Sequence, residues 1–76
     1  MSQAARDRKA EMIRAGVSQT AVAAAMGTTR ATVSRVVAGH GIRWPIGQRI
    51  ALYIAGATGK AVADLWPELD DDQRAA

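Results

Sequence analysis

Apolar residues along this chain fall into short helical stripes separated by glycines. Val22, Ala23 and Met26 follow Gln19 at three, four and seven positions, one face of a helix with about 3.6 residues per turn. Val33, Val36 and Val37 form a second stripe after Thr29, and Ile46, Ile50, Tyr53 and Ile54 a third after Pro45. Met12 and Ile13 anchor an earlier helix, predicted from about Gln3 to Ala15. Val62, Leu65 and Trp66 mark a short last one, about Lys60 to Leu65, which Pro67 stops. Ser18 and Thr29 stand where an N-cap hydroxyl accepts from free backbone N–H groups. Pro45 suits the first turn of the fourth helix, where its missing N–H costs nothing, and Gly56 is read as that helix's end. No segment alternates in the manner of a strand. The prediction is an all-α domain of four to five short helices.

Length narrows the architecture. Seventy-six residues make one domain, expected over 1–69, with the charged run 70–76 fraying. A chain this short buries only about 60% of its unfolded surface, and with no Phe its core is built from Ala, Val, Ile, Leu and Met. Trp44 and Trp66 are read as core or dimer anchors, because small domains often gain stability by pairing. There is no cysteine and a single histidine, His40, so neither a disulfide, nor a metal site, nor any cofactor is expected. No apolar run approaches about 18 residues, and the first residues lack the apolar stretch of a signal peptide. No membrane association is expected; a cytoplasmic location is.

Charge is distributed unevenly. From Met1 to Arg49 eight of the ten basic residues face two acids, Asp7 and Glu11, a surplus of six. From Ile50 onward Lys60 and Arg74 face Asp64, Glu68, Asp70, Asp71 and Asp72, a deficit of three. A basic front and an acidic end suit a polyanionic partner on one face. The basic residues of the first helix (Arg6, Arg8, Lys9, Arg14) are read as surface charges. The carboxylates 70–72 lie in a polar tail, His40 lies in a loop, and "GATGKA" lacks the hydroxyl and the preceding strand of a phosphate loop. Enzymatic chemistry is therefore not expected.

The second and third helices fit one constellation. Ala23 is small where two helices cross, Gly27 supplies a positive φ for a tight turn, and Val22, Met26, Val33 and Val36 fill the angle between them. This is helix-turn-helix spacing, in which the second helix projects into the DNA major groove. "SQTAVAAAMGTTRATVSRVVAGHG" resembles the helix-turn-helix of the Cro/cI-type phage repressors, and "TVSRVV" resembles the recognition helix of the lac repressor headpiece. "RWPIGQRIALYIAG" followed by "ADLWPEL" is similar to the closing segment of the Ner-like regulators of Mu-type phages, with a Trp-Pro before the fourth helix and another after the fifth. The resemblance runs from about Val17 to Leu69. Thr28 departs from it, since the pattern places an aliphatic residue after the turn glycine.

The resemblance implies a lambda-repressor-like fold and sequence-specific binding of double-stranded operator DNA by a homodimeric, nucleoid-associated phage or prophage repressor. It carries the exposed recognition positions over to Thr29, Arg30, Ala31, Thr32, Ser34 and Arg35. It assigns Gln19 to a phosphate, and His40 and Arg43 to a loop touching the DNA backbone. Either arginine can give guanine O6 and N7 a bidentate pair of hydrogen bonds. Five residues apart, the two lie about 140° apart around the helix, so they cannot both face the groove floor. Arg30 is the expected base reader; Arg35 reads a deeper base or clamps a phosphate. Ala31 offers a methyl to thymine, and Thr29, Thr32 and Ser34 are short donors for the backbone. The alternatives are an antitoxin or adaptor with a protein partner, and an accessory factor that bends DNA.

Overall fold

Hydroxyl caps open three of the helices. The structure, a computed structural model, describes residues 2–69. They form α1 (Gln3–Arg14), α2 (Gln19–Met26), α3 (Arg30–Val37), α4 (Pro45–Thr58) and α5 (Val62–Leu65), with no strand among the described residues. The Ser2 hydroxyl accepts from the Ala5 N–H at 3.2 Å, Ser18 from Ala21 at 3.0 Å and Thr29 from Thr32 at 3.2 Å. Pro45 opens α4 in its first turn. The all-α class is as expected, and of the four to five helices expected five are present. The charged run 70–76 lies outside the described residues.

Gly27 makes the turn between α2 and α3. Its φ of 66° is left-handed, a region where a side chain is strained and glycine is not. The Gly27 N–H donates to the Ala24 carbonyl and the Thr28 N–H to the Ala23 carbonyl, so two of the last carbonyls of α2 are satisfied as the chain reverses. Thr28, the departure from the aliphatic pattern, is half-buried and keeps this geometry.

Side chains from every helix meet in one core. Val22 and Ala23 of α2, Val33, Val36 and Val37 of α3, and Ile50, Ala51, Ile54 and Ala55 of α4 are buried. Met12, Leu65 and Trp66 close it, and Met26, Ile46 and Val62 pack at its margin. α3 lies against α1, α2 and α4. In the first turn of α4, the Cα of Gly47 approaches the backbone of Gly41 so closely that a Cβ there would collide with the Gly41 carbonyl oxygen.

Several expectations are corrected. α4 does not end at Gly56: it runs to Thr58 and closes on Gly59, φ 72°. Gly56 has no positive φ, Thr58 Oγ1 donates to the Ile54 and Ala55 carbonyls, and the left-handed residue comes at Gly59, where the chain turns towards α5. Tyr53 is 39% exposed. The buried face of α4 centres on Ile50, Ala51, Ile54 and Ala55, and Tyr53 lies about 100° from Ile54. Ile13 is 79% exposed, because it too is about 100° from its buried neighbour Met12. Trp66 is in the core as expected, whereas Trp44 is 56% exposed and is not.

The largest correction is Arg8. It is 1% exposed, one turn from Ala5 and Met12 on the buried stripe of α1. Burying a charge is costly unless it is paired and hydrogen-bonded. Arg8 Nε donates to the Val37 carbonyl at 2.8 Å, and Nη1 donates to the Leu65 carbonyl at 2.8 Å and to Glu68 Oε1 at 2.9 Å. Its guanidinium carbon lies 5.0 Å from the centre of the Trp66 ring, and Trp66 Nε1 donates to the Val36 carbonyl at 2.9 Å. Of the exposed cations of α1, Arg14 pairs with Glu11 at 2.8 Å.

Two predictions follow from this packing. Arg8→Ala removes three hydrogen bonds and leaves buried carbonyls without donors, at a cost of about 3–5 kcal/mol. The expected fall in Tm is at least about 12 °C, and Arg8→Lys does not restore it, since an ammonium lacks the planar fork. A loss under about 1 kcal/mol in urea titration contradicts this role. Gly27→Ala meets nothing within 4 Å and costs only left-handed strain, about 1–2 kcal/mol. Gly47→Ala strikes backbone and should cost clearly more; equal losses by calorimetry would show that this turn can give way.

Candidate nucleic-acid interface

The outward side of α3 follows from its inward one. Val33, Val36 and Val37 face the core, and at about 100° per residue the exposed arc runs from Arg30 through Ser34 and Ala31 to Arg35, with Ala31 and Ser34 at its centre. Arg30 and Arg35 flank that centre, about 140° apart. Thr29, Arg30, Ala31, Ser34 and Arg35 are exposed, and Thr32 is half-buried at the edge. The hydroxyls of Thr29 and Thr32 lie 3.0 Å apart, and that of Thr29 also caps the helix. These two side chains therefore hold the start of α3 as well as facing solvent.

The two arginines border different recesses. Arg30 shares an open recess of about 220 Å³ with Lys9, Ile13, Ser18 and Gln19, at the junction of α1 and α2. Gln19, the first residue of α2, is half-buried there. Arg35 turns to the loop between α3 and α4. Its guanidinium carbon lies 5.7 Å from the centre of the Trp44 ring. A recess of about 410 Å³ there is lined by Arg35, His40, Arg43 and Trp44 together with Gly39, Gly41 and Ile42. His40 and Arg43 are exposed. The nine expected residues thus fall into a central face on α3 and two margins: Gln19 beside Arg30, and His40 and Arg43 beside Arg35.

Charge separates along the same lines. No aspartate or glutamate lines either recess. Asp7, Glu11 and Asp64 line a different one, with Arg8 and Lys60, between α1 and α5, and Glu68 is engaged by Arg8. The α3 side therefore presents cations at both margins with no acid among them to offset their field.

The position of α3 is fixed from behind. A helix leaves its last carbonyls without intrahelical partners. Here the Val36 carbonyl accepts from the Trp66 indole and the Val37 carbonyl from Arg8. A cation at a helix C-terminus is also favoured by the helix dipole.

Two neighbours of this surface are not singled out by the sequence. The basic residues of α1 are read as surface charges, some within reach of a phosphate, and Lys9 among them stands beside Arg30 and Gln19. Its signal was the three-residue offset from Met12, which sets both on one side of α1. Trp44 lies outside the core, exposed, and flanks Arg35. Its place depends on the tight turn in which the Trp44 N–H donates to the Gly41 carbonyl at 3.1 Å, which the sequence marks only by its glycines.

Among the described residues, no three His, Cys, Asp or Glu side chains gather as metal ligands, and no helix is long and apolar enough to cross a membrane. Comparison with protein-family models, with curated proteins and with solved structures finds no match to the chain.

Proposed function

We propose that this chain binds double-stranded DNA sequence-specifically, with α3 in the major groove, and acts as a small transcriptional repressor of the phage or prophage type. One observation carries the reading: the exposed side of α3 has an arginine at each margin and no acidic residue in the adjoining recesses. The helix is the element a major groove admits, and phosphates supply the counter-charge on both sides of it. The likeness of "SQTAVAAAMGTTRATVSRVVAGHG" to Cro/cI-type repressors and of the two Trp-Pro segments to Ner-like regulators points to the repressor class and, through DNA, to the nucleoid.

In this reading Arg30 donates to guanine O6 and N7, and Ala31 meets a thymine methyl. Ser34 and the threonine hydroxyls reach the sugar-phosphate backbone. Gln19 and Lys9 hold a phosphate at one margin; His40 and Arg43 contact the backbone at the other. Such contacts set register and carry no sequence information. Pairing on two half-sites about 34–36 Å apart, or a multiple, would follow from two-fold symmetry. The exposed Leu52 and Tyr53 of α4 supply apolar surface for that pairing.

Selection from randomised duplexes tests the reading. A defined motif should emerge, repeated at a spacing that footprinting measures. Arg30→Ala should relax one base position of each half-site, a loss of about 1–3 kcal/mol of discrimination, while Gln19→Ala weakens binding evenly on all sequences. Duplex pools that remain random after selection favour the adaptor or DNA-bending alternatives instead.

A further inference from the structure

Arg35 of α3 faces a tryptophan that lies outside the helix, Trp44. The Trp44 side chain is the N-cap position of α4 and makes no capping hydrogen bond. More than half of it is exposed, unlike Trp66, which is wholly buried. It is nevertheless held in place. The tight turn from Gly41 to Trp44 sets its backbone, and its ring lies over Gly41, where a Cβ would come within 3.1 Å of indole Cε3. The ring also walls a recess with Thr32, Val36, His40 and Ile46. This packing covers one side of the indole and leaves more than half of the residue exposed. What it faces is the guanidinium of Arg35.

We propose that Trp44 is a positioning residue, which stacks on Arg35 and commits it to a backbone phosphate of duplex DNA at the C-terminal margin of α3, together with His40. The proposal rests on the DNA-binding reading above and decides what that reading leaves open, namely whether Arg35 reads a base. A guanidinium stacked by its face keeps its N–H edge available, and that edge matches two phosphate oxygens. The stack also pre-orders a side chain that otherwise loses much rotamer freedom on binding. Arg35 held over the 39–44 loop points away from the N-terminal half of α3. Base discrimination is therefore left to Arg30 and Ala31, and the Arg35 margin sets register and affinity.

A double-mutant cycle on the full chain tests this, with two probes: a duplex of the selected sequence and a scrambled duplex of equal length. Trp44→Ala should weaken binding about two- to five-fold on both, the factor expected for an exposed cation–π contact, and Trp44→Phe should recover most of it. Arg35→Ala should weaken binding on both and lower the slope of log affinity against log salt by about one. The decisive arm is Trp44→Ala in the Arg35→Ala background, where no further loss is expected. Equal losses in both backgrounds would mean that Trp44 acts through folding or by itself, and would overturn the proposal. A change of base preference at one operator position in Arg35→Ala would also overturn it, by making Arg35 a base reader. If the unmutated chain binds neither duplex at low salt, the DNA reading itself fails and the proposal falls with it. Thermal melts of each variant, and iodide quenching of the exposed indole in the free chain, separate loss of the stack from loss of the fold.

Discussion

The structure turns on the capture of the last carbonyls of α3 by Arg8 and Trp66. One guanidinium, taken almost wholly out of water, ties the end of α3 to the end of α5 and to Glu68. The indole stacked beside it fills the next carbonyl. A domain this small has a thin apolar core, and much of that core is alanine and valine, which bury little surface each. A buried polar cluster whose Nε and Nη1 make three hydrogen bonds, with only Nη2 left unpaired, adds geometric definition that such side chains supply less well. It connects segments 29, 57 and 60 residues apart in sequence, so it also joins the first helix to the last.

Function enters through what this anchoring leaves outside. With α3 capped in front by Thr29, turned by Gly27 and gripped behind by Arg8 and Trp66, its rotation about its own axis is set. Ala31 and Ser34 then face outward, with one arginine at each side. The acids of the described residues lie elsewhere, against Lys60 and Arg8 or between α1 and α5. Arg8 thus does two jobs. It fixes the helix whose cations face solvent, and it draws Glu68 away from them.

Much of the scaffold was legible in the sequence, for local reasons. The caps at Ser18 and Thr29, the left-handed Gly27 and the valine stripe of α3 are set by nearest-neighbour geometry, and each stands as expected. What was not legible depends on tertiary partners. Arg8 reads as a surface charge in the sequence because its acceptors come from residues far along the chain. Yet its offsets from Ala5 and Met12 put it on the buried stripe of α1, a signal that residue type overrode. Tyr53 and Ile13 were counted inward because large apolar residues outrank alanine in a hydrophobic pattern. The helix buried Ala51 and Ala55 instead, since closely approached backbones leave room for small side chains. The site behaved likewise. The division between the Arg30 and Arg35 margins follows from their spacing, whereas the parts of Lys9 and Trp44 depend on which loop and which helix lie beside α3.

The most direct measurement is a backbone amide NMR titration of the chain with a selected duplex at low ionic strength. The largest shifts are expected in residues 18–20, 29–35 and 40–44, with smaller ones around Leu52 and Tyr53 as two copies pair and α5 little changed. Absence of shifts with any duplex, or shifts confined to α4 and α5, would contradict a DNA-facing α3.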